Sequence, residues 1–321
     1  MKTKPIIIVA GEPFSVFSEI LSKSITKKKI NTPIILICSQ KLIEKQIKKL
    51  KLKIEFCLID RYKMNFNNLS NKKINIINVD FNFDKPFNKI SIKSNHYISE
   101  CFKIALQIIN NNKCLGLING PISKKDFLKE KYYGITEYLA DKSNRKNKVA
   151  MLIYNKKLSV SPITTHIPLK NVYKSITKNK IIRHVKLIDN FYKRTLKIKP
   201  KIAITGLNPH CESNYKSSEE TNIIIPAIKM LAKNKIDIKG PFSADTVFLK
   251  DNTKNFDVIV GMYHDQVLTP AKTLFGFSSI NITLGLPFIR ISPDHGPNSS
   301  MLGKNRSNPK SLTQALKFLD N

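Results

Sequence analysis

The stretch that points most directly to a fold is Val258-Ile259-Val260-Gly261-Met262-Tyr263-His264-Asp265-Gln266. It opens with three β-branched residues and ends in polar ones. A short, wholly apolar run of this kind is typical of a strand that is covered on both faces of a sheet. The polar residues that follow then lie in the loop at the carboxyl end of that strand.

Similar apolar runs recur along the chain. They are Ile6–Val9, Ile34–Ile37, Ile74–Ile77, Leu115–Ile118, Ala150–Ile153 and Ile202–Ile204. Amphipathic stretches separate them, and apolar residues repeat at helical spacing from Ile98 to Ile109 and from Ile181 to Tyr192. Strands that alternate with helices predict an α/β fold with largely parallel sheets.

The length of 321 residues corresponds to roughly two domains of about 150 residues. The 5 cysteines are scattered and form no C-x-x-C pair, which argues against a disulfide framework and a zinc ribbon. A reducing cytoplasmic location is therefore expected. The apolar run near the N-terminus is too short for a signal peptide or a membrane span, so no membrane partner is expected.

The chain has 55 Lys+Arg against 23 Asp+Glu, a net charge of +32. A charge of this size suggests nucleic acid as a partner. However, the lysines occur in nearly every segment, and the chain has neither an arginine-rich arm nor a basic stripe interleaved with aromatic residues. This distribution favours a solvated basic surface that can steer an anionic substrate. No specific nucleic-acid partner is expected, and a non-catalytic nucleic-acid-binding protein remains as an alternative.

Three histidines, His166, His210 and His264, each follow a predicted strand. Loops beyond the carboxyl ends of strands bind ligands in open α/β sheets. The three imidazoles can therefore share one edge of one sheet, or of two sheets that meet at an interface. Neutral imidazoles suit Zn²⁺, Co²⁺, Ni²⁺ or Fe²⁺. The alternative for each of them is a loop histidine that only hydrogen-bonds to backbone, and a structural role is expected for His96 and His184.

Downstream of His264 come Lys272, Asn281 and Arg290, a combination that matches a phosphate or carboxylate if the side chains converge. Asp245 is a weaker candidate, either as a carboxylate that orients a histidine or as a turn residue. Neither G-x-G-x-x-G nor a P-loop sequence occurs, so a nucleotide cofactor would have to bind in another way.

As a set, these residues resemble the 4-hydroxythreonine-4-phosphate dehydrogenase family of vitamin B6 synthesis. The blocks that carry the resemblance stand in the family's order and reach about residue 296. They are Asn119–Lys124, Gly134–Tyr138, Thr164–Leu169, Gly206–His210, Gly240–Thr246, Met262–Gln266, Asn281–Arg290 and Asp294–Gly296.

The resemblance implies two α/β/α domains with an interdomain cleft, as in isocitrate and isopropylmalate dehydrogenases. Residues 1–130 and 287–321 would form an outer domain with cofactor contacts, and residues 131–286 the metal, substrate and dimerisation domain. It also implies a homodimer in which a divalent metal such as Zn, Co or Mg is shared between subunits. His166 and His210 of one chain and His264 of the other would hold that metal.

The family's substrate contacts correspond to Thr136, Lys272, Asn281 and Arg290. The implied reaction is NAD-dependent oxidation of 4-phosphooxy-L-threonine at its 3-hydroxyl, followed by decarboxylation to 3-amino-2-oxopropyl phosphate. One departure is Ile135, which stands where the family usually has a substrate-binding histidine. This departure motivates a second enzymatic alternative, an NAD-dependent dehydrogenase of a related four-carbon sugar-acid phosphate.

Overall fold

A computed structural model describes residues 4–27, 30–63, 65–110, 113–128, 131–211, 217–293 and 296–320. Asp294 and His295, quoted above in the last sequence block, lie outside these ranges. The chain divides into two compact units. The first comprises Met1–Leu139 and Pro287–Asn321, and the second comprises Ala140–Leu286.

The strands are β1 (Ile6–Val9), β2 (Ile34–Cys38), β3 (Phe56–Leu58), β4 (Ile74–Asn78), β5 (Gly116–Asn119), β6 (Ala150–Tyr154), β7 (Ser159–Pro162), β8 (Ile202–Thr205), β9 (Ile238–Phe242), β10 (Val258–Gly261), β11 (Ile280–Leu284) and β12 (Arg290–Pro293). The α-helices are α1 (Phe17–Lys27), α2 (Gln40–Lys49), α3 (Asn95–Ile109), α4 (Lys124–Phe127), α5 (Ile135–Lys142), α6 (Val172–Ser175), α7 (Lys178–Phe191), α8 (Ile225–Lys233), α9 (Lys250–Thr253), α10 (His264–Phe275) and α11 (Lys310–Asp320).

The predicted α/β fold is confirmed, and every apolar run named above forms or overlaps a strand. The two amphipathic stretches form α3, which ends at Ile109 as expected, and α7. Side-chain caps fix several helix starts. Ser39 Oγ accepts from the backbone N–H of Leu42 ahead of α2, and Thr177 Oγ1 accepts from that of Lys180 ahead of α7.

The first unit contains a parallel sheet in the order β3-β4-β2-β1-β5-β12. Its central strands are covered on both faces, and every residue of β1 and β5 is buried. The chain moves outward from β1 to β2 on one side, and β5 lies on the other side. The sheet therefore has a topological switch point between β1 and β5, where α/β proteins bind ligands.

The second unit contains the strand order β11-β6-β7-β10-β8-β9. Strands β7, β10, β8 and β9 are parallel, whereas β6 runs antiparallel to both β7 and β11. The sequence predicted largely parallel pairing and missed the antiparallel pairing of β6 with β7. Only residues 155–158 join β6 to β7, which is far too short for the crossover that parallel neighbours require.

Strand β7 is not among the predicted apolar runs, because it reads Ser-Val-Ser-Pro, and it is nevertheless fully buried. Its serines have partners inside the unit. Ser161 Oγ lies 2.7 Å from His184 Nε2, and Tyr192 Oη donates to Ser159 Oγ at 2.8 Å. Burial lowers the pKa of His184 to about 3, so this histidine is neutral in the folded protein and has the structural role expected for it.

None of the described helices is both long enough and apolar enough to cross a membrane.

Candidate active site

Three adjacent parallel strands of the second unit carry the three predicted metal ligands. Strand β10 lies between β7 and β8. His166 follows the carboxyl end of β7, His264 follows that of β10, and His210 follows that of β8. The strand order confirms that all three loops lie at one edge of one sheet. Their ligation of a common ion remains a prediction.

Two of the imidazoles are close together in a single chain. The ring centroids of His166 and His264 are 5.8 Å apart, with an angle of 41° between the ring planes. His264 begins α10, and its Nδ1 lies 2.6 Å from Asp265 Oδ1. A carboxylate that accepts a hydrogen bond from Nδ1–H keeps the proton on Nδ1 and leaves the Nε2 lone pair of the imidazole for a ligand.

The third imidazole, His210, faces a different carboxylate. Its Nδ1 is 3.9 Å from Asp245 Oδ2, and its side chain is 74% exposed. The Ser243 hydroxyl, with a smaller contribution from His210, lowers the pKa of Asp245 below its usual value. Asp245 is therefore ionised at neutral pH and provides negative charge beside the ring.

The donor types fit a divalent ion, since neutral imidazoles are good ligands for borderline metals. Across the ranges that the structure describes, no three His, Cys, Asp or Glu side chains of one chain form a group that could hold a metal ion alone. The two imidazoles that lie together in one chain are His166 and His264, whereas the resemblance pairs His166 with His210 and takes His264 from the other subunit.

A buried glutamate, which the sequence analysis missed, holds the loop of His210. Glu220 Oε1 accepts from the backbone N–H groups of Leu207 at 2.7 Å and Asn208 at 2.9 Å. Its Oε2 accepts from the Asn208 side chain at 2.9 Å. Burial acts to raise the pKa of Glu220, but these hydrogen bonds outweigh it and lower the pKa. Nothing in the local sequence separates this glutamate from an exposed one.

Two predicted substrate residues lie together in the first unit. Arg290, in β12, is fully buried. Its Nε donates to Asn119 Oδ1 at 2.8 Å, and its Nη1 donates to Thr136 Oγ1 at 3.3 Å. Burial lowers its pKa to about 10, an effect that nearby Glu137 opposes. The guanidinium is therefore charged at neutral pH and holds the Thr136 hydroxyl at the start of α5, next to Ile135.

The other two predicted substrate residues belong to the second unit. Lys272 lies in α10, and its Nζ is 5.8 Å from the centroid of the Phe277 ring. Asn281 lies in β11, and its Oδ1 is buried without a hydrogen-bond partner among the described residues. A buried carbonyl oxygen of this kind is costly unless a ligand or water supplies a donor.

The switch point of the first unit holds a second glutamate that the sequence analysis missed. Glu12 follows β1, and its backbone N–H donates to Pro121 O in the loop after β5 at 2.9 Å. The residue is 1% exposed, and its Oε2 has no hydrogen-bond partner within the described ranges. Burial raises the pKa of Glu12 to about 7.

Replacing Glu12 with glutamine is expected to stabilise the protein in alkaline solution and to have little effect near pH 5. Unfolding lowers the pKa of this carboxyl from about 7 to its ordinary value of 4.5, so wild-type stability falls as the pH rises through that window. Above pH 7 the ionised carboxylate is buried at a cost of about 3 kcal/mol, which Glu12→Gln removes.

Urea unfolding at pH 5 and pH 8.5 measures this difference, with the exposed Glu44→Gln as the matched control. Equal effects of Glu12→Gln at the two pH values would contradict it.

A sequence profile described as pyridoxal phosphate biosynthetic protein PdxA matches residues 29–319. The chain is 40% identical over 316 residues to a 4-hydroxythreonine-4-phosphate dehydrogenase from a Sulfurihydrogenibium species, covering 97% of this chain and 96% of the relative. It is also 30% identical over 331 residues to a D-threonate 4-phosphate dehydrogenase from Salmonella typhimurium, covering 99% of this chain and 98% of the relative.

Solved structures are similar over the same length. A 4-hydroxythreonine-4-phosphate dehydrogenase from Klebsiella pneumoniae has a TM-score of 0.85 and 26% identity, covering 99% of this chain and 98% of that one. Isocitrate dehydrogenase from Methylococcus capsulatus shares the fold alone, with a TM-score of 0.50 and 10% identity over 98% of this chain and 84% of that one. The dehydrogenase family implies a nicotinamide cofactor. With nearly the whole chain matched in sequence and fold, this protein belongs to the PdxA family of pyridoxal phosphate biosynthetic proteins.

Proposed function

We propose that the protein is an NAD-dependent 4-hydroxythreonine-4-phosphate dehydrogenase that acts as a homodimer in the reducing cytoplasm. The substrate 4-phosphooxy-L-threonine is oxidised at its 3-hydroxyl, and the resulting β-keto acid loses carbon dioxide to give 3-amino-2-oxopropyl phosphate. The observation that carries the proposal is the meeting of the loops of His166, His210 and His264 at one sheet edge, in a chain of this family.

These three imidazoles, drawn from two subunits, would hold a divalent ion such as Zn²⁺, Co²⁺ or Mg²⁺. When bound, the ion supplies Lewis acidity at the substrate oxygens. The protein prepares the ligands for this role. Asp265 would accept a hydrogen bond from His264 Nδ1–H and so favour the tautomer that leaves Nε2 for a ligand, and the ionised Asp245 faces His210 at 3.9 Å.

Hydride acceptance is the chemistry of the nicotinamide ring, and the protein contributes binding and orientation of the substrate. Thr136, Lys272, Asn281 and Arg290 would bind it. Asn281 Oδ1 is a buried acceptor that needs a donor, and Lys272 and Arg290 carry the positive charge that a phosphate ester requires. Holding the substrate at several points reduces the entropic cost of reaching the reactive geometry.

A specific observation also favours a second substrate. Ile135 cannot hydrogen-bond through its side chain, and one relative at 30% identity acts on D-threonate 4-phosphate by name. That compound is a four-carbon sugar-acid phosphate of the class motivated by the Ile135 departure. The relative at 40% identity carries the 4-hydroxythreonine-4-phosphate name, so the hydroxy amino acid is the first choice.

Incubation with NAD and 4-phosphooxy-L-threonine is expected to produce NADH, which absorbance records directly. A chelator should abolish this signal, and added Zn²⁺, Co²⁺ or Mg²⁺ should restore it, because the reaction requires a bound Lewis acid. D-threonate 4-phosphate in parallel distinguishes the two substrates. Undiminished turnover in the chelator would contradict the metal assignment, and a higher kcat/KM for D-threonate 4-phosphate would favour the alternative.

A further inference from the structure

The first turn of helix α10 contains a side chain that the site described so far does not use. Gln266 follows His264 by two positions, and its amide turns back towards the ends of two strands. Its Oε1 accepts from the backbone N–H of Met262 at 2.7 Å and from Thr205 Oγ1 at 2.9 Å. Its Nε2 donates to the backbone carbonyl of Gly206 at 2.8 Å. One amide therefore makes three hydrogen bonds to two different loops.

These contacts join the turn of His264 to the loop of His210. Among the described residues, these two segments have no direct backbone hydrogen bond to one another. Met262 belongs to the turn that leads into His264, whereas Thr205 ends β8 and Gly206 begins the loop that leads to His210. The histidine loop of β7 reaches the same turn by another route, because Thr164 donates its N–H and its hydroxyl to Met262 O at 3.2 and 2.8 Å. Met262 is thus held by the β7 loop through its carbonyl and by Gln266 through its N–H.

The segment that Gln266 holds has little freedom to relax by itself. A Cβ atom at Gly206 would lie 2.8 Å from Cys211 Sγ and 3.1 Å from Glu220 Oε1. The next two residues donate their N–H groups to Glu220. Gln266 at the Gly206 carbonyl and Glu220 at the following N–H groups therefore hold this loop from opposite sides.

From this arrangement we infer that Gln266 is a positioning residue that holds the loop of His210 and the turn of His264 of the same chain in place, and thereby determines the metal affinity of the two sites of the homodimer to which these two histidines contribute. The inference rests on the proposed function, since it assumes that these imidazoles bind metal. Outer contacts that orient metal ligands commonly contribute about 10- to 100-fold in affinity. Gln266 is suited to this role because it supplies both an acceptor and a donor, whereas a carboxylate supplies acceptors only.

The test is a calorimetric titration of the full-length protein with Co²⁺, together with the visible absorption spectrum of the bound ion. Gln266→Ala should raise the Kd for Co²⁺ at least about tenfold and alter the spectrum. Gln266→Glu keeps the acceptor for Met262 and Thr205 but loses the hydrogen bond to Gly206 O. The Kd of this variant should therefore lie between that of wild type and that of Gln266→Ala. The exposed glutamine of α3, in Gln107→Ala, is the matched control and should match wild type.

A Gln266→Ala variant that binds Co²⁺ with a Kd within twofold of wild type, and with an unchanged spectrum, would overturn the inference. A wild-type protein that binds no Co²⁺ would instead count against the metal site of the proposed function. In that event amide hydrogen exchange at Met262 still tests the contact itself. Exchange should accelerate in Gln266→Ala, and equal rates would show that the side chain does not hold this turn.

Discussion

Replacing His264 with alanine is expected to reduce kcat by about a thousandfold and to leave the free energy of unfolding within about 1 kcal/mol of wild type. A bound metal ion contributes several kcal/mol of charge stabilisation to such reactions, and each 1.36 kcal/mol corresponds to a factor of ten in rate. The small effect on stability follows from position, because the His264 side chain is 35% exposed and its partner, Asp265, is 80% exposed. His166→Ala and His210→Ala should behave in the same way.

The measurements are NADH formation under saturating metal and urea unfolding of the same preparations. His96, an exposed histidine in α3, supplies the control variant His96→Ala, which should retain wild-type turnover. Full activity in any of the three site variants would remove that histidine from the proposed ligand set. A large loss of stability with little change in Co²⁺ affinity would assign the histidine to the fold.

Replacing Arg290 with alanine should raise KM for the phosphorylated substrate about a hundredfold, because hydrogen bonds to charged groups contribute about 1.5–3 kcal/mol each. The same change should lower the free energy of unfolding by about 3 kcal/mol. Removing the guanidinium leaves Asn119 Oδ1 without its donor in a buried site, and it removes the charge that faces Glu137. Steady-state kinetics and urea unfolding measure the two effects.

Arg290→Lys separates the role of Arg290 in substrate binding from its role in stability. Lysine keeps the charge but lacks the planar guanidinium that donates to Asn119 and Thr136 together. We expect this variant to recover part of the stability while KM stays high. Arg306→Ala, at an exposed arginine of the same unit, controls for loss of positive charge. If KM were within twofold of wild type in Arg290→Ala, Arg290 would be a structural residue and not part of the phosphate site.

The repeating local signals were enough to predict the α/β class. Apolar β-branched runs such as Val258–Val260 form buried strands, and α3 ends at Ile109, where the periodic pattern stops. The antiparallel pairing of β6 with β7 was missed because β7 is not an apolar run, so the sequence did not reveal the short connection that sets the direction of this pairing. The burial of β7 was also unexpected, since its serines are accommodated only through partners such as His184 and Tyr192 from a distant helical segment.

In the candidate site, too, some features followed from the sequence and others only from the tertiary structure. The sequence by itself determined which side chains are candidates for the proposed chemistry, because imidazoles suited to a metal ion and a guanidinium suited to a phosphate are identified by residue type and by their place in the motifs. Only the tertiary structure decided what holds them, namely Glu220 and Gln266 around the His210 loop and Asn119 beside Arg290. The physical reason is that a hydrogen bond between residues far apart along the chain leaves no periodic or compositional trace, and it becomes defined only when packing excludes water from both partners.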